Sequence, residues 1–268
     1  MKFKDQLNKE LVLDDYPKRI ISLVPSQTEL IVDLGLEKNL VGITKFCIHP
    51  KQLLLDKTIV GGTKKVNYNK IISLQPDLII GNKEENTKEM IHELEEIAPV
   101  YISNIITIED SLKFISDIGQ LCNRKIESKQ LVQKIDNAKI DFIEFVKNQP
   151  IRRVAYFIWN KPWMVVGSNN YINEILKLNK FENIFRKAPN RYPDVYIEYF
   201  YDLSPELKPE LVLLPSEPYH FKKKDIKELK QHIDCSMKLV DGEMFSWYGS
   251  RILKAFEYFK KFHKTLDS

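Results

Sequence analysis

The heptapeptide Leu74-Gln75-Pro76-Asp77-Leu78-Ile79-Ile80 returns 133 positions later as Leu207-Lys208-Pro209-Glu210-Leu211-Val212-Leu213. A second pair, Lys18-Arg19-Ile20-Ile21 and Arg152-Arg153-Val154-Ala155, stands 134 apart. Either match alone is weak. Together, at half the length of a 268-residue chain, they predict two lobes with one topology. In each, proline ends a helix and feeds an apolar strand, because it lacks an amide hydrogen and holds the preceding residue extended. Between the copies runs 126–149, free of Gly and Pro, with Leu131, Ile135, Ala138, Phe142 and Phe145/Val146 at three- and four-residue intervals. At 1.5 Å per residue this helix reaches roughly 35 Å, and Pro150 stops it. The expected fold class is therefore α/β: two similar lobes with mostly parallel sheets, joined by one long backbone helix. Its predicted divisions are an N-terminal lobe at 1–124, a connecting helix at 125–149 and a C-terminal lobe at 150–268.

Short apolar runs alternating with amphipathic stretches carry the α/β reading. The predicted strands are Ile20–Val24, Leu40–Ile43, Leu78–Gly81, Val100–Ile102, Val154–Ile158, Met164–Val166, Leu211–Leu214 and Lys238–Val240. Ser26-Gln27-Thr28-Glu29 reads as a capping box opening a helix that ends at Gly35. Thr87 to Ile97 reads as a surface helix with Met90, Ile91, Leu94 and Ile97 on one face, leaving His92 solvated. The run Phe221–Asp225, with three consecutive lysines, reads as a solvated helix start.

Lys and Arg total 41 against 37 Asp and Glu, a net charge of +4 with both signs interspersed, so no nucleic-acid partner is expected. No apolar run approaches the roughly 20 residues of a membrane span. The charged amino terminus lacks the 7–15-residue apolar core of a secretory signal, so the chain as written is not expected to be an exported precursor. Cys47, Cys122 and Cys235 form no CxxC pair, and the five histidines no HExxH spacing. Neither a GxGxxG nor a GxxxxGK[ST] loop is present. No resident metal or intrinsic cofactor is expected.

Ligands of open parallel sheets sit beyond the carboxyl ends of the strands, and paired lobes would place them in a cleft. The segments predicted to arrive there carry Pro25, Ser26, Gln27, Phe46, His49, Lys64, Lys65, Asn82, Trp159, Trp163, Phe245, Trp247, Tyr248 and Arg251. All three tryptophans fall in these loops. Rings beside cations suit a flat, partly apolar ligand with carboxylate or phosphate groups. Catalysis has little support: Ser26, Ser168 and Ser250 read as caps, and no GxSxG elbow accompanies them. Cys47 and His49 are the one pair that could act as thiolate and base, with His49 as an axial ligand to a bound chelate or a packing residue as the other readings.

Taken in order, RIISLVPSQTELIVDLGLEKNLVGI, VGGTKKVNYNKIISLQPDLII and VDGEMFSWYGSRI resemble the helical-backbone class of ABC-transporter substrate-binding proteins, nearest its cobalamin- and iron-chelate-binding branch. The likeness runs from about Pro17 to Phe262. It implies a non-enzymatic monomer that holds a metal chelate (cobalamin, siderophore or haem-like) in a largely preformed cleft and passes it to an ABC permease. Gly167 and Arg251 would shape the second-lobe wall. Cobalamin-binding relatives carry rings where this chain has Lys64 or Lys65 and Asn82, which favours a more anionic or polar ligand, while Phe46, Trp159, Trp163, Tyr192, Phe245 and Trp247 keep the aromatic character. Relatives dock on the permease through one acidic residue per lobe; Glu198 matches in the second lobe, with Asp202 as the alternative register, and Asn69 stands in the first. The resemblance places the protein in the periplasm or cell envelope, whereas the charged amino terminus, if the chain is full length, places it in the cytoplasm. The rival reading is a cytoplasmic chelate-handling enzyme or sensor that reuses the scaffold, with Cys47 and His49 reactive.

Overall fold

The computed structural model describes residues Met1–Leu266. Their strands are β1 (Lys2–Lys4), β2 (Glu10–Val12), β3 (Ile20–Ser22), β4 (Leu40–Thr44), β5 (Thr58–Gly61), β6 (Leu78–Asn82), β7 (Val100–Ser103), β8 (Arg152–Trp159), β9 (Met164–Val165), β10 (Phe181–Asn183), β11 (Leu211–Pro215) and β12 (Ser236–Val240). The chain divides into two compact units. One comprises Met1–Asn137 with Trp247–Lys254, the other Ala138–Ser246 with Ala255–Ser268. The 22-residue helix Lys125–Val146 runs from the first into the second.

The first unit holds a parallel sheet ordered β5-β4-β3-β6-β7. Its central strands are buried on both faces, as parallel sheets covered by helices require, with Ile20, Ile21, Ile79 and Ile80 wholly inaccessible. In the second unit the order is β10-β8-β11-β12, all parallel, with β9 antiparallel to β8. Aligning β8 with β3 makes this the same path as β4-β3-β6-β7.

The sequence echo has a physical basis in this path. In the first unit Arg19 Nε donates to the Gln75 carbonyl at 3.1 Å (and to the Leu74 carbonyl at 2.7 Å), its backbone amide to Asp77 Oδ1 at 2.9 Å, and the Asp77 amide to the Arg19 carbonyl at 3.0 Å. The second unit repeats all three: Arg153 Nε to Lys208 O at 2.8 Å, Arg153 N to Glu210 Oε2 at 2.7 Å, and Glu210 N to Arg153 O at 2.8 Å. The arginine and the carboxylate thus pin the entry of the central strand to the entry of its neighbour. They set the registers Ile20↔Leu78 and Val154↔Leu211.

Three expectations change. The first helix spans Pro25–Asp33 and its N-cap, Val24, has no side-chain bond; Pro25, whose fixed φ suits the first turn, opens it instead of Ser26. Glu29 turns away from a capping role because it finds charged partners, described below. Gly35, at φ +74°, does end the helix in the left-handed conformation. Ser168 caps nothing either: Asn170 Oδ1 accepts from Asn173 N at 2.9 Å to start Tyr171–Leu178, and Ser168 Oγ donates to the Ala188 carbonyl. Finally, the lysine run is not wholly a solvated start, since Asp225 behind it is buried and accepts from Lys222 N at 2.7 Å and Asn160 Nδ2 at 2.9 Å. The hairpin β1-β2 and the strands β5 and β10 stand outside the predicted set.

Candidate functional site

At the carboxyl end of the first sheet, the loops after β3, β6 and β7 meet a segment from far along the chain. Gln27 Nε2 lies 3.0 Å from the Gly81 carbonyl, 2.8 Å from Ser103 Oγ and 2.9 Å from the Tyr248 hydroxyl. Asn82 Nδ2 joins at Ser103 Oγ, 2.9 Å away, while its Oδ1 accepts from the amides of Glu84 and Glu85. Gln27, Asn82, Ser26, Ser103 and Tyr248 are all buried. Burial pushes the Tyr248 phenol well up, so it stays protonated and available as a donor. Strand order reverses at β3, the place where open sheets admit ligands; here that crevice is filled by this polar network.

Beside it, Arg251 and Glu29 form a buried ion pair, Nε to Oε2 at 2.7 Å, with each side chain only 5% exposed. Lys254 Nζ reaches the other oxygen of Glu29 at 2.9 Å from a largely exposed position. The Arg251 guanidinium lies over the Trp247 ring, 4.8 Å from its centroid, and His49 meets the same ring edge-on at 5.5 Å. Gly249 N donates to Ser111 Oγ at 2.9 Å. Residues 247–254 are therefore strapped to the helices Pro25–Asp33 and Ile108–Leu121. Arg251 belongs to the first unit, so its predicted place on a second-lobe wall is corrected: Glu29, 222 positions earlier, holds it.

The solvent-facing part of this edge is basic. Lys45 follows β4 and sets its ammonium 5.0 Å above the exposed Phe46 ring. Lys64 and Lys65 follow β5, and Lys64 Nζ donates to the Glu84 carbonyl at 2.6 Å. Asn86 Nδ2 donates to the Thr63 carbonyl at 2.8 Å, so the loop after β5 reaches across to the loop after β6. Gly61, at φ +142°, makes the turn; a Cβ there would stand 2.5 Å from the Lys65 carbonyl.

In the second unit Trp159 ends β8, remains 42% exposed and meets Tyr219 edge-on at 5.6 Å. Trp163 is half-buried, stacked on Phe221 with 6° between the planes and edge-on to Phe157. Tyr192 is half-buried near the Tyr156 phenol, and Gly167 is packed under residues 190–193. Phe245 is an interior ring among Tyr156, Tyr258 and Phe259 with no exposed surface. Glu198 and Asn69 are both exposed. The repeated clamp equates Pro76 with Pro209, and seven residues before them stand Asn69 and Asp202.

Cys47 is buried between Thr28 Oγ1 at 3.0 Å and Thr44 Oγ1 at 3.2 Å, and burial pushes its thiol up. A thiol so placed is no activated nucleophile. Among the described residues no group of three or more His, Cys, Asp and Glu side chains is placed to hold a metal ion, and no helix is long and apolar enough to cross a membrane.

Each unit carries a parallel sheet with its own arginine–carboxylate clamp, and the periplasmic binding protein family model matches residues 20–234. The chain belongs to the periplasmic binding protein family. A vitamin B12-binding protein of Vibrio campbellii is 30% identical over 193 residues, 71% of this chain and 69% of that one. Among solved structures, the periplasmic vitamin B12 binding protein BtuF of Vibrio cholerae superposes with a TM-score of 0.80 at 20% identity, covering 94% of this chain and 99% of that one. The periplasmic haem-binding protein RhuT of Roseiflexus sp. gives 0.79 at 15% identity over the same shares. At those identities the likeness is one of fold. Lys45, Lys83 and Tyr219 join the candidate residues on these loops; for Lys45 and Lys83 the position directly after a strand was the available signal.

Proposed function

We propose that this periplasmic binding protein is the substrate-binding component of an ABC-type uptake system and holds a metal chelate of the vitamin B12, haem or siderophore kind. The observation that carries the reading is the presence, in a family of binding proteins, of exposed rings at the carboxyl ends of parallel strands: Phe46 under the Lys45 ammonium in one unit, Trp159 against the Tyr219 ring in the other. Such rings bury flat ligand surface at small entropic cost, and cations meet peripheral oxygens. Binding without chemistry fits a cysteine whose thiol is held neutral. The same reading assigns permease docking to the exposed carboxylates near the second proline clamp, with Asp202 rather than Glu198 at the register of Asn69. It carries a location in the periplasm or cell envelope.

Titration of the protein with cobalamin, haem and ferric siderophores, followed by tryptophan fluorescence, tests it. At least one dissociation constant should be micromolar or tighter, and Trp159→Ala should weaken it about tenfold, the loss of one partly exposed aromatic contact. Failure of every chelate to bind overturns the reading.

A further inference from the structure

Resting on that reading, the arrangement of the first unit narrows the ligand class. Four lysines follow three of its parallel strands: Lys45 after β4, Lys64 and Lys65 after β5, Lys83 after β6. All four are exposed. The strands β4 and β6 flank β3, so their ends are about 10 Å apart at the usual interstrand spacing. Two contacts draw the β5 loop across that gap, Lys64 Nζ to Glu84 O and Asn86 Nδ2 to Thr63 O. The opposing carboxylates on these loops are Glu84 and Glu85. The Glu85 carboxyl is raised by desolvation, with Lys64 lowering it and Glu84 raising it further. The four lysines therefore outnumber the two carboxylates.

We propose that Lys45, Lys64, Lys65 and Lys83 make the first unit's edge selective for anionic chelates, whose peripheral carboxylate or catecholate oxygens they neutralise, over neutral ones. Phe46 supplies the apolar floor: with Lys45 above it, the ring and ammonium offer one flat apolar contact and one cationic contact within 5.0 Å. A conjugated catecholate or a propionate-bearing macrocycle matches both, whereas an uncharged chelate leaves the ammoniums without counter-charge. Lysine fits this role because its flexible stem lets a point charge follow oxygens of varied geometry.

The test compares ferric tris-catecholate and haem, which are anionic, with cobalamin and a neutral ferric tris-hydroxamate, at about 50 and 200 mM salt. The expected result is tighter binding of at least one anionic chelate than of both neutral ones, weakening severalfold at the higher salt. Lys64→Gln with Lys65→Gln should weaken the anionic chelate roughly tenfold, charge-assisted contacts being worth about 1.5 kcal/mol or more. These side chains are exposed, so the variants should fold, which circular dichroism verifies. Equal or tighter binding of a neutral chelate, or an anionic affinity within twofold of wild type in the double variant, overturns this inference while leaving the binding function standing. Failure of all four chelates overturns both. Haem and the catecholate, titrated separately, distinguish the two sources of anionic oxygen.

Discussion

Replacing Arg251 by alanine should destabilise the first unit more than any surface change. The substitution leaves the Glu29 carboxylate, 5% exposed, without its nearest cation. Breaking a buried pair by removing one partner costs about 3–5 kcal/mol. Lys254 remains 2.9 Å from Glu29 but is 62% exposed, so it offsets at most about 1 kcal/mol. Loss of the guanidinium over Trp247 adds about 1 kcal/mol. The sum is about 3–5 kcal/mol, and with a urea slope of roughly 2 kcal/mol/M the unfolding midpoint should fall by about 2 M. The decisive comparison is Glu29→Leu with Arg251→Met. Removing both charges together should recover most of the loss, because the cost is the stranded carboxylate and not the absent attraction. Urea titration read by circular dichroism on the two single variants and the double closes the cycle. A shift below about 0.5 M for Arg251→Ala, or a double variant as unstable as the two single effects added, would refute the reasoning.

Two other perturbations are defined by burial. Asp5 is 3% exposed and its carboxyl is raised by desolvation despite accepting from the amides of Leu7 and Lys9. The folded protein therefore binds more protons than the unfolded chain just above pH 3.8, and stability from this site falls as pH rises through that window to the folded value. Asp5→Asn, which keeps an accepting oxygen, should grow more stable relative to wild type from pH 3.5 to 6 by urea titration; a constant difference would contradict this. The cysteines should label slowly with a disulfide reagent at pH 8. Cys235, whose thiol is pushed up to about 11, is then roughly one part in a thousand thiolate, against about a quarter for a free thiol of pKa 8.5. Urea should accelerate labelling of Cys235 roughly two hundredfold, the ratio of those thiolate fractions, and a rapidly reacting Cys47 in the folded protein would restore the enzymatic reading.

The strands were legible because parallel sheets bury both faces and leave continuous apolar runs, and the lobe repeat because Arg19 with Asp77 and Arg153 with Glu210 perform one task twice. Three-residue strands such as β1 and β2 have no such signal; their turn is held by Asp5 Oδ1, and their position by Gln6 Nε2 on the Asp110 carbonyl at 2.8 Å. At the candidate site, the sequence named the loops at the strand ends but not which side chains face inwards. Gln27 looks like a ligand contact until Tyr248 arrives from 221 residues away to bond it. Ser26 looks like a cap until proline at the preceding position takes over the first turn. Both depend on partners distant in the chain or on competition within one turn, and periodicity encodes neither.

The strap of residues 247–254 also dictates when the first unit can be complete. During synthesis the sheet from β3 to β7 emerges early, yet Gln27, Glu29 and Ser111 wait for Tyr248, Arg251 and Gly249, which are made 221, 222 and 138 residues later. Domains that fold as they emerge normally settle in amino-to-carboxyl order. Here the first unit waits for a segment made after most of the second, so a nascent chain halted before residue 247 carries a finished sheet with an open polar seam, and making the first lobe's own residues does not complete it.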